Sequence, residues 1–273
     1  MIFEIRGIRP DPSKDQHFLT NPKTIKRIVA LSKPKSRDRI LEVGAGIGTL
    51  TKKLAETKAK VTAVEMDKKL RKSLDKLTYP NLKILYENVL DVIDSISFNK
   101  AVSNTPYSIC EPLINKLLRK DFEIAVLSVP EKFYMRISSR PGEKYYSILT
   151  LKTKSSFKID LKFRIPRKDF SPEPRTETVV ITLKPLSAKD YKKDPGKFIL
   201  KEVFLREKMK LKNSLMESLI TFNKNILGKN FTKNMARDVI DKTGLDNELL
   251  GKKTKEMKLN DFKKLEEKLT SFS

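Results

Sequence analysis

A glycine-rich turn in the first quarter of the chain has the composition of a nucleotide-binding loop. Glu42-Val43-Gly44-Ala45-Gly46-Ile47-Gly48 follows a short apolar run, and its glycines let the backbone turn tightly and approach a ligand closely. Glu65 ends the next apolar run, where its carboxylate could accept hydrogen bonds from both hydroxyls of an adenosine ribose. The turn and the acid together predict an adenosine-binding site that includes Gly44, Gly46 and Glu65.

Three ligand classes share this geometry: dinucleotides, nucleotide sugars and S-adenosylmethionine. The spacing is G-x-G-x-G, and it differs from the G-x-G-x-x-G that brings bare backbone against a pyrophosphate. S-adenosylmethionine carries a sulfonium cation and an amino acid, which suit an acidic strand end such as Glu42. The spacing therefore favours S-adenosylmethionine, and the alternative that the turn only connects a strand to a helix stays open.

A second motif, Asn104-Thr105-Pro106-Tyr107, could act on an adenine. The exocyclic amine of adenine is a poor nucleophile because its lone pair is delocalised into the ring. Two acceptors, the side-chain oxygen of Asn104 and a neighbouring backbone carbonyl, would hold the amine hydrogens and direct the lone pair toward a methyl group. Pro106 would fix the turn and Tyr107 would stack on the base, so all three are candidate catalytic residues. Without this context, the string is an ordinary turn with an aromatic anchor.

A parallel sheet is needed to hold both motifs at one edge. From Arg39 to about Val129, short apolar runs alternate with helix-like stretches, which predicts an α/β doubly wound domain. Ligands bind at the carboxyl ends of the strands in such sheets. Further along, Tyr146–Phe163 and Thr178–Leu183 are rich in β-branched and aromatic residues, so we expect two more strands that close the sheet.

The pattern changes near residue 185. Apolar residues then recur at helical spacing, with Lys and Glu on the outer faces. We therefore predict two domains, with residues 1–185 forming the α/β domain and residues 186–273 forming a small all-α domain.

The charge balance indicates a polyanionic partner. The chain carries 58 Lys and Arg against 34 Asp and Glu, a formal net charge of +24. This imbalance favours nucleic acid, although solvated helix faces in a lysine-rich protein are the alternative. In the helical domain, the residues expected to contact phosphates are Arg206, Lys208, Lys210 and Lys212. They belong to no base-reading motif, so a structured RNA is the expected partner.

Several classes of protein are excluded by what the sequence lacks. One cysteine, Cys110, and one histidine, His17, exclude a disulfide framework and the usual Cys/His zinc site, so no metal is expected. The first residues lack the apolar stretch of a signal peptide, and no apolar run approaches the ~18–20 residues of a membrane span. We expect a cytoplasmic protein without a membrane partner, in which Cys110 is a packing residue.

The motifs occur in the order found in a known family. The chain resembles the ribosomal RNA adenine dimethyltransferases, which modify two adjacent adenines near the 3′ end of small-subunit rRNA. The resemblance runs from about residue 14 to residue 215, and its segments are Gln16–Leu19, Glu42–Gly48 with Glu65, Asn104–Tyr107, Phe170–Arg175 followed by Val179-Val180, and Leu211–Leu215. It implies a Rossmann-like, S-adenosylmethionine-dependent methyltransferase domain with a mostly parallel seven-stranded sheet, followed by a helical RNA-binding domain.

The resemblance also assigns roles to individual residues. It implies that Gln16, His17 and Leu19 lie beside the methyl donor, and that Asn104 contacts the donor as well as the target. Asn88 stands where the family usually has Asp, and its oxygen would accept a hydrogen bond from the amine of the donor adenine without charge assistance. Arg175, at the end of the proline-rich segment, is expected to bind RNA.

The activity implied by the resemblance is dimethylation of both adenines in the immature small ribosomal subunit, during ribosome biogenesis. S-adenosylmethionine would be the cofactor, and a monomer is expected. Two alternatives stay open. The related large-subunit rRNA adenine methyltransferases of the macrolide-resistance type share three of the motifs, and a non-catalytic RNA-binding, assembly or transcription factor could use the same scaffold.

Overall fold

The computed structural model describes residues 10–11 and 15–269, so the outer ends of both predicted domains lie outside the described residues. The chain divides into two compact units. The first comprises the residues up to Met135 together with Lys158–Pro185, and the second comprises Arg136–Phe157 together with the residues from Leu186 onward. Residues 136–157 thus pack with the helical unit, and the division into functional domains at residue 185 stays a prediction.

Nine strands are found in the described part of the chain: β1 (Phe18–Leu19), β2 (Arg39–Val43), β3 (Lys60–Val64), β4 (Leu82–Leu85), β5 (Lys100–Asn104), β6 (Ile124–Pro130), β7 (Phe157–Ile165), β8 (Phe170–Ser171) and β9 (Thr178–Pro185). Seven of them form one sheet in the order β4-β3-β2-β5-β6-β9-β7. The run from β4 to β6 is parallel, whereas β9 is antiparallel to β6. The predicted Rossmann-like, mostly parallel seven-stranded sheet is confirmed.

Most helices of the first part of the chain follow strands of this sheet. They are α1 (Pro22–Ser32), α2 (Thr49–Ala55), α3 (Arg71–Leu74), α4 (Val89–Val92), α5 (Cys110–Leu117) and α6 (Glu131–Ser138). Helix α1 begins at Pro22 because the Asn21 side chain accepts a hydrogen bond from the Lys23 N–H and Pro22 occupies the first turn. The apolar faces of α1 and α2 pack with β2 and β5 in one buried cluster.

A buried ion pair in the first unit lies at the amino ends of the central strands, opposite to the glycine turn. The Lys100 ammonium lies 2.6 Å from the Asp38 carboxylate, and both side chains are almost fully buried. Lys100 also donates to the Lys33 carbonyl, which follows α1. The pair thereby connects the end of α1 with the beginnings of β2 and β5. Buried charges of this kind constrain register because neither can be left unpaired.

The second unit is helical, as predicted for the C-terminal region. Its helices are α7 (Ile148–Lys154), α8 (Ala188–Lys193), α9 (Pro195–Leu205), α10 (Leu211–Phe222), α11 (Lys233–Lys242), α12 (Asn247–Gly251) and α13 (Leu259–Leu269). Apart from α8, whose Tyr191 packs against Phe198 in a separate cluster, these helices share a core in which Val203, Leu211 and Leu265 are fully buried. No helix of the described chain has the length and apolar character that crossing a membrane would require.

The strand predicted over Tyr146–Phe163 is wrong in its first half. Residues 148–154 form α7, and β7 begins only at Phe157. Ser147 and Thr150 form a reciprocal capping box, which satisfies backbone donors at the start of the helix. Leu149 and Leu151 are then buried on its inner face. Capping and burial therefore override the strand preference of the β-branched residues.

A two-stranded sheet joins distant parts of the first unit. Strands β1 and β8 pair antiparallel, with Phe18 opposite Ser171 and Leu19 opposite Phe170. The segment Gln16–Leu19 and the proline-rich segment Phe170–Arg175 were separate motifs in the sequence. In the fold they are neighbours, and together they lie at the edge of the sheet where the glycine turn is found.

Candidate functional site

A cavity of about 380 Å³ opens at the carboxyl ends of β2, β3 and β5. The predicted donor-binding residues that line it are Gln16, His17, Gly44, Gly46, Glu65, Asn88 and Asn104. Leu19 is the exception, because its side chain is buried in the core cluster that α1 and α2 cover. Pro106 also lines the cavity, so the glycine turn and the Asn-Thr-Pro-Tyr loop share one site.

The Glu65 carboxylate is held by the backbone at one wall of this cavity. Its two oxygens accept hydrogen bonds from the Gly46 N–H and the Asp67 N–H, each at 2.8 Å. Burial raises the pKa of Glu65, and these two donors oppose the rise by stabilising the charged form. Each carboxylate oxygen has a second lone pair, so the group can still accept hydrogen bonds from ligand hydroxyls.

Backbone conformation and close packing both require glycine in the glycine turn. Gly44 and Gly46 have φ angles of +72° and +60°, which residues with a side chain rarely adopt. A Cβ at Gly44 would lie 3.1 Å from Cδ of Pro106, and one at Gly46 would lie 3.0 Å from Cδ1 of Phe18. The absence of side chains therefore lets the turn pack directly against the Asn-Thr-Pro-Tyr loop and β1.

The segment before β1 is fixed by side-chain hydrogen bonds. Gln16 donates from Nε2 to Oδ2 of Asp67 at 2.7 Å. The His17 ring lies with Nδ1 at 2.9 Å from the Pro172 carbonyl oxygen, and since a carbonyl only accepts, Nδ1 carries the proton. In the neutral ring, Nε2 then keeps its lone pair. His17 is therefore held in one orientation by the proline-rich segment.

Asn104 has its amide group oriented by the same segment. Its Nδ2 donates to the His17 carbonyl oxygen at 3.0 Å, which leaves Oδ1 as a hydrogen-bond acceptor. The following residue, Thr105, is buried, and its hydroxyl donates to Oγ of Ser103 at 3.0 Å. Ser103 in turn donates to the Val43 carbonyl at 2.7 Å. This chain of hydrogen bonds ties the loop to β2, the strand that precedes the glycine turn.

Tyr107 lies beside the cavity, outside its lining. Its ring stacks against the His17 ring, with the centroids 6.0 Å apart and the planes inclined by 27°. Its hydroxyl is 2.5 Å from Oγ1 of Thr178, at the start of β9. Burial raises the pKa of Tyr107. The ring is therefore held at both ends, and its stacking on a target base stays a prediction.

Cys110 is poorly suited to nucleophilic chemistry. It begins α5, and its Sγ donates a long hydrogen bond of 3.6 Å to the Pro106 carbonyl. Burial raises the pKa of the thiol to about 12, so the group stays protonated at neutral pH. Among residues 10–11 and 15–269, His, Cys, Asp and Glu side chains form no group of three or more that could hold a metal ion.

Glu42 does not play the part that the sequence suggested. Its side chain is fully buried, and neither carboxyl oxygen makes a hydrogen bond of normal geometry with the described residues. Burial, together with the nearby charge of Glu65, raises the pKa of Glu42 to about 8, although the nearby Thr51 hydroxyl opposes the rise. The carboxyl group is thus mostly neutral at pH 7, and it lies outside the cavity lining. An attraction between Glu42 and a cationic ligand is therefore not supported.

Asn88 lines the cavity and also caps a helix. Its Oδ1 accepts a hydrogen bond of 3.0 Å from the Leu90 N–H and so caps α4. This is the atom that was expected to accept from the amine of the donor adenine. An amide oxygen has two lone pairs, so Oδ1 can accept one more hydrogen bond. Contact between Asn88 and the donor adenine therefore stays a prediction.

Asp169, to which no sequence motif pointed, anchors the segment between β1 and α1. The buried carboxylate accepts hydrogen bonds from Nδ2 of Asn21 at 2.8 Å and from the Thr24 hydroxyl at 2.6 Å. Its backbone carbonyl accepts a further bond from the Thr20 N–H at 2.8 Å. The one available signal was an acidic residue directly before the proline-rich motif.

The residues predicted to bind RNA fall into two groups. Arg175 in the first unit, and Lys208, Lys210 and Lys212 in the second unit, are exposed. Arg206 instead forms an ion pair with Glu202, one turn earlier on α9, and donates to Oγ1 of Thr221. Its charge is compensated locally, so Arg206 is less available to phosphates than the sequence suggested.

Comparison with known proteins is consistent with this geometry. The family model described as ribosomal RNA adenine dimethylase matches residues 11–251. A probable ribosomal RNA small subunit methyltransferase A from Methanococcus maripaludis is 32% identical over 81% of this chain and 86% of its own length. The protein of the same name from Methanosarcina mazei is 38% identical over 75% and 76%.

Solved structures show a similar fold. A dimethyladenosine transferase from Plasmodium falciparum superposes with a TM-score of 0.61 and 27% identity, over 91% of this chain and 96% of the other. A 23S rRNA methyltransferase superposes with a TM-score of 0.55 over 92% and 99%, and its 21% identity shows only that the fold is shared.

Glu42 should make the stability of the folded protein depend on pH. Its pKa is raised from the ordinary 4.5 to about 8 in the folded protein, so the folded state holds a proton that the unfolded chain releases. Between pH 5 and pH 8, the free energy of unfolding should therefore fall by up to about 1.4 kcal/mol per pH unit. Glu42→Gln should remove this decline, as measured by urea denaturation at several pH values.

The matched control is Glu56→Gln, which changes an exposed Glu just after α2 and should retain the decline. Curves for the wild type and Glu42→Gln that run parallel from pH 5 to pH 8 would contradict the assignment.

Proposed function

Because this chain belongs to the ribosomal RNA adenine dimethylase family, we propose that it transfers methyl groups from S-adenosylmethionine to two adjacent adenines near the 3′ end of small-subunit rRNA. The observation that carries this proposal is the orientation of Asn104. Its amide nitrogen is bound to the His17 carbonyl, so its oxygen is available to the exocyclic amine of an adenine. The names of the curated relatives support small-subunit rRNA as the substrate.

The cavity suits a methyl donor of the S-adenosylmethionine type, which the family and the fold imply. Its volume of about 380 Å³ falls in the usual range for small-molecule sites, roughly 300–1,000 Å³. Glu65 would accept hydrogen bonds from both ribose hydroxyls. Each of its oxygens binds one backbone N–H and keeps a second lone pair for this purpose. Gly44 and Gly46 would let the donor lie close to the backbone, and Gln16 and His17 would close the side near β1.

The reaction requires little more than orientation from the protein. When bound, S-adenosylmethionine supplies an electrophilic methyl group on a positively charged sulfur. Asn104 Oδ1 and a backbone carbonyl of the same loop would accept hydrogen bonds from the target amine and so direct its lone pair. With the donor held by Glu65 and the glycine turn, the amine oriented in this way would face that methyl group, and its proton would pass to solvent. Proximity and alignment account for most of the acceleration in such a displacement.

The two alternatives receive less support. The likeness to a 23S rRNA methyltransferase shows the shared fold, whereas the curated relatives are named for the small subunit. A non-catalytic factor would not need the acceptor oxygen of Asn104 or the bound carboxylate of Glu65, and both are in place. We further propose that the protein acts as a monomer on the immature small subunit in the cytoplasm.

Glu65→Ala should weaken donor binding by at least about tenfold, because two charge-assisted hydrogen bonds to the ribose are lost. Calorimetric titration with S-adenosylmethionine measures this directly. Glu56→Ala is the matched control, since it removes an exposed Glu without touching the cavity. Equal affinity in the wild type and Glu65→Ala would rule out the proposed position of the ribose.

Asn104→Ala should lower the rate of methylation by about 10²–10³-fold, which is typical for the loss of one oriented group at a reacting centre. The readout is dimethyladenosine, measured by mass spectrometry of rRNA after incubation with unmethylated small subunits. Asn234→Ala, at an exposed position of α11, is the matched control. A parallel incubation uses unmethylated large subunits, and formation of dimethyladenosine there but not in the small subunits would contradict the proposed substrate.

Asn88→Asp should tighten donor binding. A carboxylate has two oxygens and a negative charge, so one oxygen can cap α4 while the other accepts a charge-assisted hydrogen bond from the amine of the donor adenine. In Asn88 a single neutral oxygen would have to serve both donors. The cap is retained, because Asp and Asn are similar N-cap residues. We expect the preference for S-adenosylhomocysteine over S-inosylhomocysteine, which has a carbonyl in place of that amine, to rise by about tenfold.

Calorimetry with the two nucleosides provides this measurement. Asn88→Ser is the control, because its hydroxyl can also cap the helix but leaves no amide in the cavity. An unchanged preference in Asn88→Asp would show that position 88 does not face the purine amine.

A further inference from the structure

Two segments of the helical unit pair along their backbones. One follows α9 and leads into α10, and the other follows α12. They meet at an antiparallel bridge between Lys210 and Lys253. The backbone hydrogen bonds that join them are Leu211 N–H to Lys252 O at 2.8 Å, Thr254 N–H to Met209 O at 3.0 Å and Lys255 N–H to Glu207 O at 2.8 Å.

The bridge places two lysines opposite each other on paired backbone segments. The hydrogen bonds flank Lys210 and Lys253 and do not join these two residues directly. In an antiparallel ladder, such a pair has the closer Cα approach, about 4.5 Å, and neighbouring side chains. The next residues, Leu211 and Thr254, are buried, while Lys210 and Lys253 are exposed. The bridge therefore presents its paired lysines to solvent.

Two further lysines extend this surface. Lys208 precedes the bridge on one segment, and Lys255 follows it on the other, where its N–H binds the carbonyl of the residue before Lys208. Both are exposed. We call Lys208, Lys210, Lys253 and Lys255 the lysine ladder. Its two halves are distant in sequence, so the backbone pairing is what makes them one surface.

The free protein gains nothing evident from this arrangement. Like charges directly opposite each other on paired strands are destabilising. None of the four lysines has an acidic partner in the described part of the chain. By contrast, the neighbouring Lys252 lies 3.3 Å from both Glu248 and Asp261. The repulsion in the ladder is therefore left uncompensated, which indicates a surface whose counter-charge comes from another molecule.

We propose that the lysine ladder binds the sugar-phosphate backbone of structured RNA. The inference rests on the proposed function for the class of partner, and it adds Lys253 and Lys255 as contacts that no sequence motif suggested. Lysines bind phosphates as point charges and do not read base edges, so the ladder contributes affinity and orientation without sequence preference. Each phosphate contact releases counterions, which makes binding dependent on salt.

The test uses the full chain and an RNA hairpin with a stem of roughly two helical turns, labelled for fluorescence anisotropy. Lys210→Ala/Lys253→Ala should reduce the slope of log affinity against log salt by about 1.4–1.8, which corresponds to two lost phosphate contacts. Lys224→Ala/Lys229→Ala is the matched control, because it removes two exposed lysines from the same unit. The control should change the slope much less, although the net charge falls equally.

A second measurement guards against misfolding. Since the ladder lysines repel each other, the melting temperature of Lys210→Ala/Lys253→Ala should equal or exceed that of the wild type. Equal slope changes in the two double variants, or a wild type that does not bind the hairpin, would overturn the proposal. Ladder-dependent binding by a protein that forms no dimethyladenosine would leave the ladder standing and contradict the proposed function alone.

Discussion

The hydrogen bond from the Asn104 amide to the His17 carbonyl is the interaction on which the site depends. It determines which end of the amide is free to accept, and it joins the end of β5 to the segment before β1. That segment is in turn held by the bond from His17 to Pro172 and by the β1–β8 pairing. The acceptor oxygen of Asn104 is therefore oriented by a backbone carbonyl, which contacts from a distant part of the chain hold in place.

Much of this organisation could be predicted from sequence, because it follows from local patterns. Alternating apolar runs gave the parallel sheet, and the ends of its strands placed the glycine turn, Glu65 and Asn104 at one edge. The glycine at position 44 predicted a tight turn, and the structure shows why glycine is needed there. Its positive φ and its contact with Pro106 both require a residue without a side chain. Sequence also predicted the helical character of the C-terminal region.

The remainder depended on contacts that no local pattern encodes. Strands β1 and β8 have two residues each, too few for a periodic signal, and Asp169 acts through partners far away in sequence. The charge state of Glu42 follows from burial by the fold around it, and the hydrogen bond by which Asn88 caps α4 was not predicted from its motif. In Tyr146–Phe163, a capping box outweighed strand preference.

The bond between His17 and Pro172 spans 155 residues of sequence, and this has a consequence for how the protein is made. Chains are synthesised at about 5–20 residues per second, so the two partners leave the ribosome roughly 8–30 s apart. Throughout that interval, the first motif has no carbonyl to orient it and no β8 to pair with. The nascent chain can form the glycine turn early, but the Asn-Thr-Pro-Tyr loop acquires its final shape only after the proline-rich segment has been synthesised.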